Sequence, residues 1–171
     1  MTHSPLNPSQ ALAQVSHQWD RSILPQLKDY IAIPAKSPMF APDWQQQGLL
    51  DQVVRNAAQW VEAQKVAGLK LEILRLPGRT PLLFFEVAGT QENAASRPTV
   101  LGPWTPKYED GKLYGRGGAD DGYAIYASIA AIQALKSQNT PHPRIVGLIE
   151  TSEESGSGDL LPYIDALQPQ L

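Results

Sequence analysis

Two short acidic segments, each rich in glycine, constrain most strongly how this chain can fold. Residues 115–122 read GRGGADDG and residues 150–157 read ETSEESGS, with one apolar helical stretch and one apolar strand-like stretch between them. In a right-handed strand–helix–strand unit, the loop before the helix and the loop after the second strand meet at one edge of the sheet. Asp120 and Glu153, 33 residues apart, are therefore expected to lie close together.

The two segments contain four carboxylates that this arrangement would cluster: Asp120, Asp121, Glu153 and Glu154. Clustered carboxylates raise each other's pKa unless a cation or solvent neutralises them, and divalent metals are the usual cations. The pattern is therefore interpreted first as part of a metal site. Two other interpretations stay open: the aspartates could cap the following helix, and the glutamates could form a solvated loop. A dinucleotide-binding loop is disfavoured, because two carboxylates would repel a pyrophosphate.

The overall composition is that of one globular domain. The chain has 171 residues, of which 42% are hydrophobic and 18% charged, and it contains no cysteine. The lack of cysteine excludes disulfides, thiolate zinc sites and cysteine nucleophiles. A formal net charge of −3, with scattered lysines and arginines, indicates neither a nucleic-acid partner nor an anionic membrane surface. With no secretory signal and no apolar stretch of roughly 20 residues, a cytoplasmic protein is expected.

Hydrophobic periodicity predicts the alternation of helices and strands that is typical of an α/β sandwich. An apolar stripe over residues 12–30 predicts two helical pieces, the second capped by Ser22 with Pro25 in its first turn. A helix is then predicted over about residues 46–67, with Gly68 as its C-cap. The remaining predicted elements are a hairpin over residues 69–76 and 81–88, a strand over 98–101, a helix over 122–137, a strand over 144–150 and a helix over 159–167.

The sequence LYGRGGADDG at residues 113–122, followed by EESGS at residues 153–157, resembles the zinc-dependent aminoacylase, carboxypeptidase and dipeptidase family, which includes carnosinase-like dipeptidases. The lead-in WTPKYEDGK at residues 104–112 and the sequence IAIP at residues 31–34 fit the same family. The resemblance implies a three-layer sandwich with a mixed sheet. It identifies residues 1–171 as a single, partial catalytic domain of the di-zinc exopeptidase type, without the lid or dimerisation domain.

The resemblance also implies an activity and three residue roles. The activity is metal-dependent hydrolysis of amide bonds in small peptides or N-acyl amino acids, by an enzyme that can form a homodimer at full length. Asp120 would bridge two zinc ions, Glu154 would ligate one of them, and Glu153 would be the general base. These roles are chemically coherent, because zinc lowers the pKa of a bound water and a nearby carboxylate can take its proton.

Two features differ from the pattern of that family. The His-x-Asp motif expected at the end of the strand over residues 98–101 is replaced by Gly-Pro, and no counterpart of the later metal ligands or of the lid precedes Leu171. The alternative function is therefore a catalytically inactive fragment or deletion form that acts at most as a weak metal- or partner-binding module. The histidines are interpreted as ordinary surface residues: His3, His17 and His142.

Overall fold

The computed structural model describes residues 6–89, 107–115, 117–118 and 121–171. The strand predicted over residues 98–101, the metal ligand predicted at Asp120 and the N-terminal His3 lie outside the described residues. The described helices are α1 (Pro8–Gln18), α2 (Leu24–Ile31), α3 (Trp44–Gln47), α4 (Leu49–Ala63), α5 (Ala124–Ser137) and α6 (Leu160–Leu167). The described strands are β1 (Leu69–Leu74), β2 (Leu82–Val87), β3 (Lys107–Glu109), β4 (Lys112–Tyr114) and β5 (Ile145–Ile149). None of the helices in these ranges is long and apolar enough to cross a membrane.

Strand β2 lies at the centre of a three-stranded sheet of order β1-β2-β5. Both pairings are antiparallel; Glu72 of β1 and Leu148 of β5 lie opposite Phe84. The predicted hairpin is therefore confirmed, and so is the strand over residues 144–150. The sequence resemblance implied a mixed sheet, which contains at least one pair of parallel strands. The described strands pair only in antiparallel fashion, so that part of the prediction stays a prediction. Strands β3 and β4 form a separate antiparallel hairpin around Asp110 and Gly111, which both have positive φ.

The side chains of β2 alternate between two apolar clusters, one on each face of the sheet. Its buried residues Leu83, Phe85 and Val87 pack in a large cluster with α2, α4 and α5. Leu82 and Phe84 point to the other face, where they pack with residues of α6. A strand buried on both faces has a nearly continuous apolar sequence, as LLFFEV shows. The described residues thus form a helix–sheet–helix sandwich, which confirms the predicted α/β class and the three layers.

The N-terminal helical region is continuous, which corrects the prediction of two pieces with Ser22 as a cap. A π-helical turn (Trp19–Ile23) joins α1 to α2, and the Leu24 amide donates to the carbonyl of Trp19 five residues earlier. Pro25 lies in the first turn of α2. The π turn that precedes it does not use the α-helical hydrogen-bond pattern, so the missing N–H of proline breaks no α-helical hydrogen bond there. The Ser22 hydroxyl instead accepts a hydrogen bond from Trp60 Nε1 at 3.0 Å, which ties the turn to α4.

The second helical region is divided, whereas the sequence predicted one helix over residues 46–67. Gly48 adopts a left-handed conformation with φ of 66°, which ends α3 and precedes the first residue of α4. Glycine adopts this conformation without steric cost. The long helix ends at Ala63, and Gly68 follows a turn in which Lys65 also has positive φ, so Gly68 is not its C-cap.

The turn of the β1–β2 hairpin is fixed to the start of α6 by polar contacts. The carboxylate of Asp159 accepts hydrogen bonds from the Thr80 amide at 2.9 Å and from Arg79 Nη1 at 2.7 Å. Burial alone would raise the pKa of Asp159, but the bonds from Thr80 and Arg79 outweigh it and hold that pKa below its usual value. The buried hydroxyl of Tyr163 accepts from the Leu76 amide at 3.0 Å and donates to the Thr80 carbonyl at 2.8 Å. The outer helix is thus held to the sheet by both packing and hydrogen bonds.

Candidate functional site

A cleft of about 530 Å³ opens where the loop after α2 meets the two acidic segments. One wall is apolar and comes from that loop and from the first turns of α4: Ile33, Phe40, Leu50 and Val53. The lining also contains carboxylates from both acidic segments: Asp121, Glu150, Glu153 and Glu154. The prediction that the two segments meet at one place is therefore confirmed for Asp121 and the glutamates. The specific proximity of Asp120 to Glu153 stays a prediction, because Asp120 is outside the described residues.

The second acidic segment follows β5 directly and is folded back on itself. Glu150 accepts hydrogen bonds from the hydroxyls of Ser152, at 3.0 Å, and Ser157. Glu153 and Glu154 are the first two residues of a short 3₁₀ helix (Glu153–Ser155), which ends at a left-handed glycine. Hydroxyl bonds to Glu150 therefore fix the loop that presents the two predicted site glutamates to the cleft.

Ser155 connects this segment to the loop after α2. Its hydroxyl donates to the Ser37 hydroxyl at 2.7 Å and accepts from the Met39 amide at 3.1 Å. These two bonds join residues more than 100 positions apart in the sequence. They hold the loop after α2 against the second acidic segment, next to the lining residues Ser37 and Glu154.

The first acidic segment packs directly against the end of α2, and its glycines make that contact feasible. A Cβ atom on Gly122 would lie 2.3 Å from the Gly117 carbonyl oxygen and 2.3 Å from Cε1 of Tyr30. Gly117 itself has φ of +72°, a conformation that other residues rarely adopt. The glycine-rich sequence therefore brings the chain close to Tyr30 and places Asp121 at the cleft.

Tyr30 lines the cleft beside these glycines. Burial, and to a lesser degree the negative charge of Asp121, raises the pKa of the Tyr30 phenol to about 12. Its ring meets the ring of Tyr126 edge-on, with centroids 6.4 Å apart. Tyr30 is consequently a neutral, well-packed hydroxyl at neutral pH, next to the first acidic segment.

Zinc accepts carboxylate and histidine ligands, and the described residues offer only the first kind at the cleft. Among them, no group of three or more histidine, cysteine, aspartate or glutamate side chains is placed to hold a metal ion. His142 is 3% exposed, its Nδ1 lies 2.8 Å from the Pro143 carbonyl oxygen, and it is not part of the described cleft lining. The prediction of a surface position for His142 was therefore wrong. A metal site at this cleft would need Asp120 in addition to the glutamates.

Several residues of the cleft are not predicted by the sequence, among them Tyr30, Lys36 and Glu150. Tyr30 and Lys36 flank the sequence IAIP at residues 31–34, whose only significance in the sequence is its likeness to the family. The apolar pattern makes Glu150 the last residue of a buried strand. Its position directly before the acidic pair, at the carboxyl end of β5, is the signal that could have indicated a cleft residue.

Comparison with protein families gives a match at the two acidic segments. Residues 88–170 match the model of Peptidase family M20/M25/M40. This part of the chain is therefore similar to the M20/M25/M40 peptidases. The M20 match begins at the end of β2 and runs to the last residues of the chain, so it includes both acidic segments, α5, β5 and α6.

Two curated proteins are similar to parts of the chain. A succinyl-diaminopimelate desuccinylase of Methylobacillus flagellatus is 42% identical over 79 residues, which are 44% of this chain and 20% of that protein. The succinyl-diaminopimelate desuccinylase of Dechloromonas aromatica is 31% identical over 121 residues, which are 63% of this chain and 32% of that protein. The aligned part of the chain thus spans between a fifth and a third of the length of these two relatives.

Proposed function

We propose that this chain contributes the carboxylate part of the active site of a metal-dependent hydrolase, which cleaves amide bonds in small peptides or N-acyl amino acids. The observation that carries the proposal is the cleft, where both acidic segments of the M20 match meet an apolar wall. The similarity to a peptidase family and to desuccinylases supports the same reaction class. In this proposal residues 1–171 form one partial catalytic domain.

The proposed roles follow from the position of each carboxylate. Asp120 would bridge two zinc ions and Glu154 would ligate one of them, while Glu153 would act as the general base. Because a 3₁₀ helix has three residues per turn, the side chains of Glu153 and Glu154 leave the backbone in directions about 120° apart. One of the adjacent glutamates could therefore ligate a metal ion while the other accepts a proton from a water molecule. Zinc, when bound, would lower the pKa of a coordinated water towards neutrality.

The remaining cleft residues support this chemistry through their environment. The apolar side chains of Ile33, Leu50 and Val53 reduce the space for bulk water on one side of the cleft. In such surroundings interactions between charges are stronger than in water. The bonds from Ser152 and Ser157 leave Glu150 engaged in holding the loop, so Glu150 is assigned a supporting role and not a role as base or ligand.

The proposal is tested by separating zinc binding from catalysis in the 171-residue chain. Zinc binding is measured by calorimetry, and cleavage of N-acyl amino acids and dipeptides by amine release, for Asp120→Asn, Glu154→Gln and Glu153→Gln. The two ligand variants are expected to lose at least about tenfold in zinc affinity, since losses beyond the ligand shell already cost about 10–100-fold. Glu153→Gln is expected to keep zinc binding and to lose about 10²–10⁴-fold in kcat. The matched control is Glu72→Gln, an exposed glutamate on β1.

The outcomes distinguish an enzyme from the alternative of a metal- or partner-binding module. Zinc binding that depends on Asp120 and Glu154 without cleavage of any substrate would favour the module. Zinc binding that is absent, or that all the variants share, would contradict the proposed site itself. The cytoplasmic location and the homodimer implied by the sequence resemblance stay predictions.

A further inference from the structure

The phenol of Tyr30 lies beside the first acidic segment. Tyr30 is the second-last residue of α2 and lines the cleft. A Cβ atom on Gly117 would lie 3.1 Å from Cε1 of Tyr30 and 3.5 Å from its hydroxyl oxygen. The same ring edge meets Gly122, and the two glycines bracket the predicted zinc ligand Asp120 in the sequence. The hydroxyl therefore lies next to the segment that carries this predicted ligand.

The hydroxyl of Tyr30 differs from the other hydroxyls of the described cleft lining, which belong to Ser37 and Thr151. The Thr151 hydroxyl donates to the Pro81 carbonyl at 2.8 Å. The Ser37 hydroxyl accepts from Ser155 at 2.7 Å. Tyr30 is half-buried, and in the described part of the chain no hydrogen bond engages its hydroxyl. Its proton is therefore available to a molecule that enters the cleft.

An aromatic column, made of Tyr30, Tyr126 and Trp60, holds the phenol in place. The rings of Tyr30 and Tyr126 meet edge-on with centroids 6.4 Å apart, and those of Tyr126 and Trp60 do so at 4.8 Å. Trp60 is in turn bonded to the Ser22 hydroxyl at 3.0 Å. Tyr126 and Trp60 are both buried, so the column cannot shift without repacking the core. Donors whose position is fixed in advance are the ones that stabilise developing charge best.

Hydrolysis of an amide places negative charge on its carbonyl oxygen. In the proposed reaction Glu153 takes a proton from water, the water oxygen bonds to the carbonyl carbon, and the C=O π electrons move to the carbonyl oxygen. The C–N bond then breaks, the electron pair on oxygen re-forms the C=O bond, and the amine leaves with the proton from Glu153. A phenol can donate a hydrogen bond to the intermediate oxyanion. Tyr30 keeps its proton for this purpose, because its pKa is raised to about 12.

We propose that the Tyr30 hydroxyl donates a hydrogen bond to the carbonyl oxygen of the amide that is cleaved, and stabilises the oxyanion formed there. Tyr30 is a catalytic residue in this proposal, because it touches a reacting atom of the substrate. The inference rests on the proposed amide hydrolase function and adds a residue to it. The cleft has room for such a substrate, since its volume of about 530 Å³ is within the roughly 300–1,000 Å³ of small-molecule sites.

Two uncleavable analogues of alanyl-alanine test the proposal. A phosphinic analogue, with PO₂⁻–CH₂ in place of the amide, has the tetrahedral shape and charge of the intermediate, whereas a ketomethylene analogue, with CO–CH₂, keeps a planar neutral carbonyl. Their affinities for the 171-residue chain are measured by calorimetry with and without zinc, because the hydrogen bond does not depend on the metal. Tyr30→Phe should weaken phosphinate binding by about ten- to a hundredfold, the range for a lost hydrogen bond to a charged group. Ketomethylene binding should change little.

Controls separate the hydroxyl from the shape of the cleft. Tyr30→Phe keeps the ring that packs on the two glycines, so its thermal unfolding should match that of the unmodified chain. Tyr114→Phe, at an exposed tyrosine of β4 outside the described lining, should leave both affinities unchanged. Equal weakening of both analogues by Tyr30→Phe would overturn the proposal, because Tyr30 would then only shape the cleft. Unchanged phosphinate affinity in that variant, or no phosphinate binding by the unmodified chain, would overturn it as well.

A second measurement uses the unmodified side chain and does not depend on how a variant folds. With carbon-13 at the tyrosine Cζ atoms, the signal of Tyr30 is assigned from the contacts of its ring protons with Tyr126. This signal should move when the phosphinate binds, because the bond is made by the attached hydroxyl. It should move little with the ketomethylene analogue. A Tyr30 signal that the phosphinate leaves in place would contradict the proposed hydrogen bond.

Cleavage of alanyl-alanine distinguishes failure of this inference from failure of the function on which it rests. Where the unmodified chain releases amine, Tyr30→Phe is expected to lower kcat by about 10²–10³-fold and to change KM little. Amine release that this variant leaves unchanged would keep the hydrolase proposal and remove the role of Tyr30. Phosphinate binding that depends on Tyr30, without any amine release, would keep the hydrogen-bond donor and remove the hydrolase proposal.

Discussion

Substitution of Gly122 by alanine tests whether the first acidic segment is shaped by its contact with α2. A Cβ atom at this position would lie 2.3 Å from the Gly117 carbonyl oxygen, more than 1 Å short of ordinary contact, which begins at 3.4 Å. It would also lie 2.3 Å from Cε1 and 2.6 Å from Cζ of Tyr30. One obstacle is backbone and the other is a packed aromatic ring, so neither can move aside without disturbing the end of α2 or the segment itself.

The size of the effect follows from two opposing contributions. Forcing an extra carbon into a packed site costs about 1–3 kcal/mol. Alanine also restricts the unfolded chain, which stabilises by about 0.4–1 kcal/mol where the backbone conformation allows it. The φ angle of Gly122 lies outside the left-handed region, so no backbone strain adds to the cost. The midpoints of the two ranges give an expected net loss of about 1.3 kcal/mol in the free energy of unfolding.

Urea unfolding followed by circular dichroism measures this change in free energy. In thermal unfolding, a Tm decrease of about 2–4 °C per kcal/mol is expected for a domain of this size. Gly158→Ala is the matched control, because a Cβ atom there would have no neighbour within 4 Å and the φ of Gly158 is also outside the left-handed region. The control should be neutral or slightly stabilising. If Gly122→Ala is as stable as Gly158→Ala, the segment does not pack on Tyr30 as described, and the explanation of its glycines is wrong.

Three further substitutions test other contacts. Asp159→Asn should lower the free energy of unfolding by about 1–3 kcal/mol at neutral pH, and by less in acid. Because the folded-state pKa of Asp159 is lowered, its stabilisation is present above about pH 4 and is lost as the pH falls through the folded pKa. Equal losses in urea titrations at neutral and acidic pH would contradict the bond to Thr80. Tyr163→Phe should cost about 1–3 kcal/mol by thermal unfolding, since it leaves a partly buried amide and a buried carbonyl without their partner, and an unchanged Tm would argue against that hydroxyl bridge. Ser155→Ala should change global stability little but accelerate hydrogen exchange of the Met39 amide, and an unchanged exchange rate would contradict the link between the two loops.

The elements that the sequence predicted well are those in which one strong pattern has no competitor. The β1–β2 hairpin is marked by two apolar runs around Pro77-Gly78, and α5 by an apolar stripe that begins after Gly122. The meeting of the two acidic segments followed from the handedness of a strand–helix–strand unit and did not require any contact to be known. Topology of this kind is encoded locally, so it can be inferred from a single sequence.

The features that the sequence did not predict depend on contacts between distant residues or on a single backbone angle. The π turn before α2 keeps the same apolar stripe and therefore leaves no trace in periodicity. Gly48 could continue a helix at moderate cost, and only its left-handed conformation shows that it divides one. Tyr30 and Lys36 are recognised as cleft residues only because loops remote in sequence meet there. Burial of His142 likewise results from packing that two flanking prolines do not reveal.

The central position of β2 has a consequence for how this chain loses its structure. Both apolar clusters use alternate residues of this one strand, so opening either layer exposes one face of β2 to solvent. Phe84 serves the smaller cluster and Phe85 the larger, and each is 2% exposed. The smaller layer relies on few residues besides Tyr163 and Leu167, yet its loss would weaken the wall on which the larger layer rests. We therefore expect detachment of α6 to be energetically coupled to the sheet, so that the two described layers unfold together.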